Sequence, residues 1–133
     1  MKTLTIIFIC LLFGGCKGPN EFAHVVDVSN DFFVAKTVSP LVEDTTKPII
    51  LFVPGSGGSF IKDESLFGFS KDGFHIVSIA YFGQKKLPQQ IEKVPLEYLD
   101  SIVKWTRRTY KGRKIVLLGI SKGAEYGLSL IHI

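Results

Sequence analysis

Cysteine is nearly missing from this chain: its 133 residues hold two, Cys10 and Cys16. Both lie at the N-terminal end, so the remainder has no pair to oxidise and no thiolate set to hold a metal cluster. Disulfide scaffolds and cysteine-ligated metal sites are thereby excluded. Long apolar runs are lacking as well. The mostly apolar stretch from Leu4 to Phe13 falls far short of the roughly 20 residues a membrane-spanning helix needs. Concentrated positive charge is also lacking. The formal net charge is +4, the basic residues are scattered, and no stripe of aromatics runs between them. That distribution describes a solvated surface and no nucleic-acid site.

What stands at the start is an export pattern. Met1-Lys2-Thr3 is a short basic region, the apolar stretch follows, and Gly14-Gly15-Cys16 closes it. A cysteine directly after two small residues resembles a bacterial lipobox, in which Cys16 becomes the lipid-modified first residue. The match departs at one position: a lipobox usually has leucine three residues before the cysteine, where this chain has Phe13, with Leu12 one further back. The alternative is an ordinary secretory signal cleaved near Gly15. The expectation is a signal peptide over residues 1–15, export to the bacterial cell envelope, and attachment to a membrane through Cys16. Cleavage there removes Lys2 alone among charged residues, so the formal charge falls from +4 to +3.

Residues 16–47 read as a tether with lead-in strands. Ala23 to Val28 and Phe32 to Val38 are candidate strands, separated by the turn-prone Ser29-Asn30-Asp31. From Pro48 the pattern alternates between strand and helix. Ile49 to Val53 is an apolar run of buried-strand type, and Pro54-Gly55-Ser56-Gly57-Gly58-Ser59 a flexible loop. A short helix is expected over Ile61 to Ser70, a strand over Phe74 to Ala80, and a long helix over Glu92 to Tyr110. In that long helix Leu96, Leu99, Ile102, Val103 and Thr106 recur at helical spacing. Pro95 is tolerable in its first turn and Gly112 stops it. Lys114 to Leu118 is the next strand. The alternation implies an α/β fold, with a parallel sheet, right-handed crossovers and helices on both faces.

The most informative stretch comes last. Gly119-Ile120-Ser121-Lys122-Gly123 reads G-x-S-x-G, with a strand before it and residues able to continue as a helix after it. That context suits a nucleophile elbow, in which a serine sits on a sharp strand-to-helix turn. The flanking glycines avoid side chains that would clash there. The plainer alternative is a turn whose glycines merely let strand and helix pack closely.

The residues that follow narrow the pattern. Gly119-Ile120-Ser121-Lys122-Gly123-Ala124-Glu125 resembles the elbow of the acyl-CoA thioester hydrolase and bile acid-CoA:amino acid N-acyltransferase C-terminal domain family. Gly55-Ser56-Gly57-Gly58 resembles that family's glycine-rich loop. Ala80-Tyr81-Phe82-Gly83, then Leu87-Pro88 and Pro95-Leu96-Glu97-Tyr98-Leu99, resemble its loop and helix before the elbow. The similarity spans about residues 48 to 130, and dienelactone-hydrolase-like and peptidase-like enzymes of the same fold are also similar. The resemblance implies an α/β-hydrolase cleaving a small-molecule ester or thioester through an acyl-Ser121 intermediate, with no cofactor and no metal. Residues 48–133 would form part of that domain.

In that chemistry Ser121 is the nucleophile. One oxyanion donor is expected from the Lys122 N–H, the other from Ser56 or Gly57 in the glycine loop. The loop lacks the lysine and hydroxyl ending of a phosphate-binding loop and has a structural-turn alternative. The Lys122 side chain either favours an anionic substrate or lies along the surface. The base is harder to place. In this fold the triad order is Ser, acid, His, yet only Glu125 and His132 follow Ser121. Glu125 belongs to the family signature. His132, eleven residues on, would lie ~16 Å along a continued helix. His75 and His24 read as structural or exposed. The expectation is an incomplete α/β-hydrolase, cut after the elbow and inactive alone; the alternative is a non-catalytic lipoprotein with a binding role.

Overall fold

The computed structural model describes residues 22–91 and 94–130. The signal segment, Cys16 and His132 lie outside them. Five strands form one sheet: β1 (Ala23–Asp27), β2 (Val34–Pro40), β3 (Ile49–Val53), β4 (His75–Ala80) and β5 (Ile115–Gly119). Their spatial order is β1-β2-β4-β3-β5. β4, β3 and β5 run parallel, with Ile49 opposite both His75 and Ile115. The lead-in strands join the same sheet antiparallel: β1 pairs with β2, and β2 with β4. The sheet is therefore mixed, a parallel core carrying an antiparallel pair on one side.

Burial explains the central strands. Every residue of β3 and of β4 is buried, as expected where helices cover both faces and the strand reads as a continuous apolar run. A short helix α1 (Phe67–Lys71), preceded by a 3-10 turn at Asp63–Ser65, covers one face. There Leu66 and Phe67 pack with Ala23, Val38, Ile50, Phe52 and Ile76. On the other face lie α2 (Leu96–Thr109) and α3 (Lys122–Ser129). Leu99 and Ile102 of α2 pack with Leu51, Val53, Val77, Ile79 and Tyr81. Each such aliphatic side chain contributes roughly 1.5–3 kcal/mol on burial. On the outer strand and α3, Val116 and Leu128 remain exposed.

Element boundaries follow local chemistry. β2 starts two residues later than its composition suggests, because Asn30 Oδ1 accepts hydrogen bonds from the Phe32 and Phe33 N–H groups and holds a turn there. The long helix begins at Leu96, with Pro95 extended at φ −72°, ψ 149°. Proline fixes its own φ and disfavours helical geometry in the residue before it. The expected helix over 61–70 becomes the 3-10 turn followed by α1.

Candidate active site

Ser121 stands between β5 and α3 in a backbone conformation that side chains rarely adopt, φ 52° and ψ −122°. Such geometry costs on the order of 1–3 kcal/mol and persists only where surrounding packing imposes it. The packing is visible. A Cβ on Gly123 would lie 2.1 Å from the Pro54 carbonyl oxygen and 2.4 Å from that of Val53. One on Gly119 would lie 2.5 Å from Ala124 Cα. These are backbone atoms that cannot step aside, so the two glycines allow α3 to seat against the ends of β3 and β5. Close packing alone accounts for the glycines. It does not account for a serine at positive φ, which is the geometry that lifts a side chain out of the turn.

Ser121 and Lys122 are exposed. The Lys122 N–H opens α3 and, among the described residues, donates to no acceptor. Its ammonium donates to Glu125 Oε2 at 2.9 Å, one turn along the same exposed helix face. That contact keeps the charge at the surface and occupies Glu125.

The glycine loop faces the elbow. A Cβ on Gly55 would lie 3.3 Å from the Ile120 carbonyl oxygen and 3.7 Å from Ser121 Cβ. The loop closes as a turn in which the Gly58 N–H donates to the Gly55 carbonyl at 2.9 Å. Gly58 has φ 59°, and a Cβ there would overlap the Phe82 ring at 2.1 Å, so this position requires glycine twice over. Ser56 and Gly57 are exposed, and among the described residues their N–H groups donate to no acceptor.

The described histidines stand elsewhere. His75 opens β4, level with Ile115 of β5, so six residues of rise separate it from Ser121, about 20 Å. His24 lies in β1, four strand spacings from β5, or roughly 19 Å. Neither can accept the Ser121 proton. His75 is buried and has a structural setting: its ring packs on Tyr110 at 5.4 Å, and Glu43 Oε1 lies 3.3 Å from Nε2. That distance is within ion-pair reach, yet neither ring nitrogen makes a hydrogen bond among the described residues.

Sequence reasoning missed Tyr81. It directly follows β4, is fully buried, and its hydroxyl lies 3.0 Å from the Pro54 carbonyl and 2.9 Å from the Gly55 carbonyl. Two signals were available: its place in the Ala80-Tyr81-Phe82-Gly83 stretch, and its position just past a parallel strand, where strand ends and active-site loops converge.

No family model matches the chain. The chain is 35% identical over 128 residues to acyl-coenzyme A thioesterase 1 of Mus musculus, a match covering 85% of this chain and 30% of that one. It spans less than a third of the length of the curated relatives it matches. Among solved structures, esterase B from Lactobacillus rhamnosis, crystallised with a tributyrin phosphonate, superposes with a TM-score of 0.61 at 13% identity. That superposition covers 96% of this chain and 45% of the other. An alpha-beta serine hydrolase homologue from Coxiella burnetii gives 0.57 at 14% identity, over 85% and 58%. At such identities the structures establish the fold, and the thioesterase likeness establishes the sequence kinship. This chain is a relative of the acyl-CoA thioesterases and has the α/β-hydrolase fold, spanning part of their length.

Proposed function

We propose that this chain carries the nucleophile and oxyanion hole of a serine hydrolase acting on a small-molecule ester or thioester. The observation that carries the proposal is Ser121 at positive φ, beside the free Lys122 N–H and across from the glycine loop. Ser121 Oγ would bond to the acyl carbon while the C–O or C–S bond to the leaving group breaks. Water would then release the acid. Negative charge on the carbonyl oxygen would be met by N–H donors from Lys122 and from Ser56 or Gly57. Among the described residues no histidine reaches Ser121, so the reaction is assigned to the full-length gene product. That product should react with a fluorophosphonate probe, and Ser121→Ala should abolish labelling. A folded full-length protein that takes no label would favour a binding role without catalysis.

Export through residues 1–15 and lipid attachment at Cys16 belong to the same proposal. They move the substrate class away from CoA thioesters, which are cellular metabolites, and towards esters met outside the cytoplasm. Metabolic labelling with a radiolabelled fatty acid should mark the wild-type product and not Cys16→Ser. Equal labelling, or equal membrane retention, would remove the anchor from the proposal.

A further inference from the structure

Tyr81 ties three segments together without contacting solvent. Its one hydroxyl proton is shared between the Pro54 and Gly55 carbonyls, and its backbone N–H donates to the Gly58 carbonyl at 2.8 Å. Both ends of the glycine loop are thus fastened to one residue. The ring is itself fixed from two sides: it stacks on Tyr126 of α3 with centroids 5.1 Å apart, and meets the Phe82 ring edge-on at 5.1 Å. Tyr126 is fastened in turn, its hydroxyl donating to the Pro95 carbonyl at 2.7 Å. Burial raises the Tyr81 pKa, so the hydroxyl keeps its proton and remains a donor.

Peptide geometry turns this grip into an orientation. In a planar trans peptide the carbonyl and the N–H point in opposite directions, and no cis peptide occurs among the described residues. With the Gly55 carbonyl held by the buried hydroxyl and by the Gly58 N–H, the Ser56 N–H of the same peptide is turned up towards the loop's exposed side, where Ser121 also opens. The Gly57 N–H has no such constraint. It shares a peptide with the Ser56 carbonyl, which no described group holds.

We infer that Tyr81 is a positioning residue that aims the Ser56 N–H, and not that of Gly57, as the loop's oxyanion donor. The inference rests on the serine-hydrolase reading above and is tested so that the two can fail separately. Tyr81→Phe keeps the ring and its stacking and deletes the hydroxyl. In the full-length product, hydrolysis of a p-nitrophenyl acyl ester should show kcat reduced by about 10- to 100-fold, with KM within twofold. Losing one well-placed oxyanion donor outright costs on the order of 10²–10³. Amide hydrogen exchange in the same variant should rise at least tenfold at Gly58, whose buried N–H donates to the Gly55 carbonyl, with the β3 and β4 amides unchanged. An unchanged kcat, or a loss carried by KM, would overturn the positioning role. So would Gly58 exchange equal to wild type. Should the wild-type product hydrolyse no ester and take no fluorophosphonate, the hydrolase reading fails. The exchange measurement would still decide whether Tyr81 orders the loop.

Discussion

At the scale of single residues, the site is defined by a conformational penalty. Ser121 occupies a region of backbone space suited to glycine, so its side chain is retained at a cost to stability. Ser121→Gly should therefore raise stability over Ser121→Ala by about 1 kcal/mol, although glycine is normally the more destabilising of the two. Urea denaturation of the two variants measures this directly; an alanine variant as stable as the glycine variant would mean that the turn is unstrained. The elbow pattern pointed to a sharp, strained turn at Ser121; the packing that imposes it was not legible. G-x-S-x-G marks a turn, but the sign of φ at its centre depends on how closely α3 approaches Val53 and Pro54. Those contacts join segments some seventy residues apart. Tyr81 was hidden for the same reason, since the carbonyls it holds lie 27 and 26 residues before it.

At the scale of elements, strands were legible where both faces are buried, because Ile49 to Val53 and His75 to Ala80 are nearly all apolar. Boundaries were less so, as the Asn30 turn and Pro95 show. The far ends of the parallel strands hold a second polar cluster, remote from Ser121. Arg113, just before β5, donates from Nε to the Lys47 carbonyl at 2.9 Å and from Nη2 to the Asp44 carbonyl at 3.2 Å. It thereby fastens the turn between β2 and β3. Beside it His75 is held below its ordinary pKa of 6.5, chiefly by burial and next by the Arg113 charge, against the opposing pull of Glu43. In the fold the ring is neutral, whereas the unfolded chain binds a proton as pH falls through 6.5. The unfolded state then binds more protons, so stability declines with acidification from that point down to the depressed folded pKa. The melting temperature should drop between pH 7.5 and pH 5.0, and drop less in His75→Gln. Equal drops in the two proteins would clear His75 of the effect.

At the scale of the whole molecule, the alternation of strand and helix made the parallel core legible. The antiparallel attachment of the lead-in strands was not. Period-two patterns mark a strand but carry no information on its neighbour's direction, which is settled by the connection over the sheet. The spatial order β1-β2-β4-β3-β5 also reads as an order in time. β1 and β2 are joined by a short turn and can pair as soon as both have emerged from the ribosome. β3 emerges with neither of its neighbours made, because β4 and β5 both come later in the chain. Its five apolar residues find a first partner only when β4 is complete at position 80, and their second edge stays open until position 119 has been added. Closing each intervening loop costs entropy that grows only slowly with length. The serine two residues further on takes its place only once β5 has joined β3 and the helix after it has been added, so no nascent chain ending before that helix holds Ser121 in its strained turn.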